Sequence, residues 1–155
     1  MQVEIKQFPE LRVAAVRHVG AYDTISQSFA KLCDFAGPAG LFQQPDAAMV
    51  ALYHNDPAST PTDQLTSDAG IIVPANTSLP KGLTEQRIPA GAYACTIFTG
   101  PYEELGAVWE RFKSEGLRSS GRRMRAGAPS YETYLNDPSD TPKEALRTEL
   151  RIPVT

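Results

Sequence analysis

Ser130-Tyr131-Glu132-Thr133-Tyr134-Leu135-Asn136-Asp137-Pro138 reads as a strand running into a turn, with a carboxylate set between aromatic and apolar residues. Met49-Val50-Ala51-Leu52-Tyr53-His54-Asn55-Asp56-Pro57 carries the same pattern 81 residues earlier, with Ala51 where the later stretch has Glu132. The match extends outward on both sides. His18-Val19-Gly20-Ala21-Tyr22 corresponds to Phe98-Thr99-Gly100-Pro101-Tyr102, Phe29 to Trp109, Leu32 to Phe112, and Pro61 and Leu65 to Pro142 and Leu146. This order of glycine, aromatic, turn and proline predicts a duplicated α+β fold. Two β-α-β-β units would span about 2–74 and 83–155, related by a pseudo-two-fold axis, with a ligand cleft where they meet.

The element reading supports that division. Residues 2–7, 11–19, 48–54 and 67–73 read as extended in the first half, and 91–99, 130–136 and 147–154 in the second. Ile25, Phe29, Leu32, Cys33 and Ala36 recur at helical spacing after Asp23 and Thr24, either of which can accept a free N–H at the helix start. Leu105, Val108, Trp109 and Phe112 form the second stripe, opened by Pro101 and acidic Glu103 and Glu104, with Gly116 as its expected end. The Pro- and Gly-bearing run 74–82 reads as the boundary between halves.

Composition bounds the function. The 155 residues make about one globular domain, and a net charge of −3 gives no general reason to bind DNA. No signal peptide opens the chain and no run is long and apolar enough to span a membrane, so a cytoplasmic location is expected. Cys33 and Cys95 are read as buried free thiols. No paired C-x-x-C, H-E-x-x-H, Walker loop or dinucleotide fingerprint occurs, so neither metal nor cofactor is expected. Arg118, Arg122, Arg123 and Arg125 form one basic cluster, either a solvated loop or a site for an anionic partner.

Glu132 is the strongest candidate for chemistry. Strand alternation puts it on one face with Tyr134 and sets Tyr131 and Thr133 on the other. A carboxylate among rings can attract a cation, helped by cation–π contacts, or move a proton. It can equally be a solvated glutamate on an open strand face. Ala51 at the matching position says that the fold itself does not require a carboxylate there. Trp109, Phe98 and Tyr53, with Tyr22, Tyr93 and Tyr102, are wall candidates that can also be core. Glu149 is a second possible cleft carboxylate, or a charge paired with Arg151.

These stretches together resemble the GyrI-like family, the bacterial effector-binding domain. The resemblance rests on Met49 to Tyr53 with Asn55-Asp56-Pro57, Pro61 to Leu65, Leu79-Pro80, Trp109 to Phe112, Tyr131 to Asn136, and Glu149 to Val154. It implies two β-α-β-β units and a crevice for bulky, hydrophobic or cationic compounds, toxic ones among them. Glu132 would lie at its centre, with Ala51, Tyr53, Phe98, Trp109, Tyr134 and Glu149 around it. Some stand-alone members open cyclopropane rings of DNA-alkylating natural products, which would make Glu132, with Tyr134, catalytic. Others are associated with DNA gyrase. The effector fold begins near residue 2, so a stand-alone binder or enzyme is expected rather than a DNA-binding regulator.

Overall fold

The computed structural model describes residues 1–155 and is of the α+β class. In chain order the elements are β1 (Glu4–Phe8), β2 (Leu11–Val19), α1 (Ser26–Ala36), β3 (Met49–Tyr53), β4 (Thr66–Val73), β5 (Thr84–Ile88), β6 (Gly91–Thr99), α2 (Leu105–Arg111), α3 (Leu117–Ser120), β7 (Ser130–Tyr134) and β8 (Arg147–Pro153). They form two compact units, Glu10–Pro89 and Met1–Pro9 with Ala90–Thr155.

In the unit Glu10–Pro89 the strands lie antiparallel in the order β3-β4-β2-β5. Leu32 and Ala36 of α1 pack on Ala14, Ile71 and Val73 of the sheet, and Phe29 joins them half-buried. The other unit is antiparallel in the order β1-β6-β8-β7. Leu105 and Phe112 pack there on Ala92, Ala94, Leu150 and Ile152, ringed by Phe98, Tyr102, Val108 and Trp109. The alanines on β6 let the helix approach closely, and the large residues come from the helix.

The recurring Asn-Asp-Pro has a local job in each loop. Asn55 Oδ1 accepts the Thr66 N–H at 2.7 Å and its hydroxyl at 2.8 Å, tying the loop ends together. Asn136 Oδ1 accepts the Arg147 N–H at 2.9 Å, and its amide donates to the Ala145 carbonyl at 3.0 Å. Asp56 and Asp137 then accept the N–H two residues on, at 2.9 and 2.8 Å, which holds each turn.

Several expectations are corrected. β5 was not foreseen, because Thr84-Glu85-Gln86-Arg87 has no apolar alternation. It is an edge strand secured by pairing to β2 and by Arg12–Glu85 (3.1 Å), Arg87–Glu85 (2.7 Å) and Arg87–Glu10 (2.7 Å). That pairing keeps 74–82 inside the unit Glu10–Pro89, while β1 pairs with β6 in the other unit. Neither Asp23 nor Thr24 caps α1. A 3-10 turn at Tyr22–Thr24 intervenes, and Thr24 Oγ1 instead bonds His18 Nε2 (2.9 Å) and donates to the Ala21 carbonyl (2.8 Å). Cys33 is exposed on α1, whereas Cys95 is buried.

Gly116 does not end its helix. The chain widens into a π turn at Phe112–Gly116, continues as α3, and stops at Gly121, whose φ of 70° is the left-handed cap. Gly116 is a packing glycine: a Cβ there would stand 2.7 Å from Phe112 Cδ1 and 3.3 Å from Val3 Cγ2. Gly106, on the same helical run, has nothing within 4 Å. Gly116→Ala is therefore expected to destabilise by about 1–3 kcal/mol through overpacking, and Gly106→Ala to stabilise by up to about 1 kcal/mol. Urea unfolding of the two variants checks the opposite signs.

Candidate functional site

β7 pairs with β8 so that Glu132 lies opposite Leu150 and Tyr134 opposite Thr148, placing both on the face that the helix covers. Glu132 is only 3% exposed. A buried carboxylate must be met by donors, and two neutral ones arrive from different elements. The Trp109 indole N–H on α2 donates to Oε2 at 2.9 Å, and the Tyr134 hydroxyl donates to Oε1 at 3.0 Å. Trp109 is brought there because Leu105 and Phe112 hold the helix on the sheet, leaving position 109 on the shoulder of the buried stripe.

Rings enclose the group. Tyr102 lies against Tyr134 with centroids 5.4 Å apart, and Trp109 against Phe112 at 6.0 Å. The Lys113 ammonium stands 6.0 Å from the Trp109 ring centroid. The Tyr102 phenol is pushed above its usual range, first by burial and then by the negative charges of Glu132 and Asp137. Beneath the site, Thr148 is paired in register with Phe98 on one side and Tyr134 on the other. Its buried hydroxyl has no hydrogen-bond partner. The arrangement offers an oriented carboxylate with aromatic walls, able to meet a cationic or polarised group or to exchange a proton.

The sequence candidates divide. Glu132, Trp109 and Tyr134 come together directly, and Phe98 packs half-buried in the same core cluster as Trp109. Ala51 and Tyr53 belong to the other unit, where Ala51 is fully buried and the Tyr53 ring lies 4.7 Å from that of Tyr22. Glu149 is on the opposite face of its sheet from Glu132. Its Oε1 accepts from Arg151 Nε at 2.8 Å and stands 3.8 Å from Lys6 Nζ. Beside it the Cys95 thiol is pushed up to about 12, chiefly by burial and then by the Glu149 charge. Arg122 and Arg125 of the basic cluster bond the carbonyls of Thr155 (2.9 Å) and Val154 (3.3 Å). Phe112 and Lys113 were missed as neighbours of the site. Tyr102 was named only as a wall candidate, though its offset of 80 from Tyr22 was the available signal.

The chain belongs to a family of small-molecule binders. The family model described as GyrI-like small molecule binding domain matches residues 1–155. A relative from Erwinia billingiae (strain Eb661) named DNA gyrase inhibitor is 31% identical over 100% of this chain and 98% of its own. Among solved structures, the C-terminal domain of EcmrR aligns with a TM-score of 0.74 at 20% identity, covering 99% of this chain and 97% of that one. A hydrolase from Listeria innocua aligns at 0.69 and 16% identity, over 99% and 92%. SAV2435 bound to tetraphenylphosphonium aligns at 0.69 and 14%, over 100% and 94%. EcmrR is also known in a complex with DNA, and this chain spans 57% of that longer protein. At these identities the structural likenesses establish the fold. No helix of the chain is long and apolar enough to cross a membrane.

Two outcomes follow from the geometry. Trp109→Phe removes the donor to Glu132 Oε2 and is expected to cost about 1–3 kcal/mol, measured by urea unfolding followed by circular dichroism. Glu132→Gln removes a negative charge that disfavours the Tyr102 phenolate, so the Tyr102 pKa is expected to fall toward its ordinary value. Ring 13Cζ shifts followed across alkaline pH read that change.

Proposed function

We propose that this protein binds bulky hydrophobic, cationic compounds, toxic ones among them, with Glu132 meeting the positive or polarised group. The observation that carries the reading is the buried Glu132 carboxylate held at both oxygens by Trp109 and Tyr134. Trp109 and Tyr134 fix the direction of the two carboxylate oxygens, and the rings beside them add cation–π attraction for a cationic ligand. Trp109, Tyr134, Tyr102 and Phe98 serve as walls. The likeness to a fold solved with tetraphenylphosphonium supports the ligand class. The family match over residues 1–155 supports a small-molecule binder. We also read the two runs as a duplication, supported by the paired Asn-Asp-Pro loops, and on that reading Ala51 and Tyr53 are the counterparts of Glu132 and Tyr134.

Trp109 is the single tryptophan, so its fluorescence reports on the site directly. Titration with tetraphenylphosphonium should quench it saturably, with affinity at least tenfold weaker in Glu132→Gln. Equal affinity in the variant, or no saturable change, would refute the proposal.

The Tyr134 hydroxyl at 3.0 Å from Glu132 favours a second reading, a hydrolase. Glu132 would take a proton from water as the water oxygen bonds to one cyclopropane carbon. The ring C–C bond would break with its electron pair passing to the electron-poor group conjugated with it. That group would then take up the proton, and Tyr134 would position the substrate. A cyclopropane-bearing alkylator incubated with substoichiometric protein should then turn over completely; release of no more than one equivalent supports binding alone. The gyrase-inhibitor name of the Erwinia relative supports a third role, tested by adding this protein to a gyrase supercoiling assay.

A further inference from the structure

We infer that the Tyr102 hydroxyl is the donor that sets specificity at the Glu132 site, so that the ligand carries an acceptor oxygen beside its positive group. The inference rests on the binding role proposed for Glu132 and narrows the class of compound that the site takes.

Each unit has a tyrosine that begins a 3-10 turn, and the two side chains are held differently. The backbones before them are anchored alike. Gly20 N–H donates to the Leu65 carbonyl and Gly100 N–H to the Leu146 carbonyl, each at 2.8 Å. The Tyr22 hydroxyl is consumed within its own unit. It donates to the Asn55 carbonyl at 2.8 Å, lies 3.3 Å from the Thr66 carbonyl, and accepts the Asn55 N–H at 3.1 Å. Tyr102 is half-buried with its ring against Tyr134, and its hydroxyl has no hydrogen-bond partner in the protein. A ring contact alone would be served as well by phenylalanine, so the oxygen is spare.

That spare group lies one ring away from the carboxylate, because the Tyr134 hydroxyl is the donor to Glu132 Oε1. The other donors around Glu132 are committed or unsuited. The Trp109 N–H and the Tyr134 hydroxyl are spent on orienting the carboxylate. The Thr148 hydroxyl also lacks a partner, but Thr148 is fully buried in the sheet. The Lys113 ammonium beside Trp109 would be repelled by a ligand cation.

The chemistry of the two oxygens then divides the ligand. A group that donates is met better by the Glu132 carboxylate than by a phenol, since bonds to a charged acceptor are the stronger. What Tyr102 adds is a proton. Burial and the nearby Glu132 and Asp137 charges keep that proton in place. The compound that fits is a bulky apolar cation with an ether, carbonyl or hydroxyl oxygen on a short arm beside the charge.

The probes are butyltriphenylphosphonium and methoxyethyl-triphenylphosphonium, which differ by an ether oxygen in place of a methylene. Each is titrated into the full chain with Trp109 fluorescence as the readout. Tyr102→Phe should weaken the ether probe about fivefold, the worth of a hydrogen bond. It should leave the butyl probe unchanged, because the ring against Tyr134 is kept. Equal losses for the two probes, or none for either, overturn the inference and leave the cation site standing. So does an ether-selective loss that appears in Thr148→Val and not in Tyr102→Phe. No saturable quenching by either probe in the unmodified protein overturns both the inference and the reading it rests on.

Discussion

The alternation of side chains across β7 and β8 is the constraint on which the second unit depends. One face of that sheet must be apolar enough to carry α2, and the other is filled by different chemistry. Glu132 falls on the helix face by parity alone. Once there it has to be met by donors, and the helix that buries it supplies Trp109. Burial makes the carboxylate costly to hold without those donors. Stability therefore leans on this indole N–H.

The opposite face of the same sheet shows how differently a second glutamate can be treated. Glu149 is 5% exposed, but it is paired with Arg151, whose Nη1 also donates to the Tyr131 hydroxyl at 2.8 Å. The Arg151 guanidinium lies 4.1 Å from the Phe8 ring centroid and 5.3 Å from that of Tyr131. Planar stacking and a fork of donors are what arginine offers and lysine does not. A buried ion pair of this kind is strongly destabilised by loss of one partner, so Glu149 reads as part of the architecture. Burial raises the Tyr131 phenol to about 12, with Arg151 opposing it, which keeps that hydroxyl protonated as a dependable partner. Two carboxylates of similar burial thus differ in partners, Trp109 and Tyr134 among those at Glu132 and Arg151 at Glu149.

The first strand has a role out of proportion to its length. By pairing with β6 it brings Met1–Pro9 into the unit that contains Glu132. Val3 packs on Gly116 in the π turn, and Phe112 of that turn packs on Trp109. A short edge strand, a packing glycine and a widened helical turn are connected in this way to the indole that orients Glu132.

Much of this was legible from the residues alone. Period-two runs located seven of the eight strands, because burial of one sheet face imprints that period on sequence. The parity of Glu132 and Tyr134, the turn chemistry of Asn-Asp-Pro, and the helical stripe through Trp109 were local properties and needed no coordinates. What tertiary structure decided was everything that depends on a partner distant in sequence. β5 exists because β2 offers a ladder, with charges to hold its edge. Gly116 is a contact with Phe112 and Val3 rather than a stop signal. Arg151, two residues along the same strand, was already a readable partner for Glu149, whereas only the pairing of β1 with β6 and of β6 with β8 brought Lys6 beside it. A single chain position records its own period and propensity, whereas the identity of its neighbours across a sheet is set by register, and register is a property of the fold.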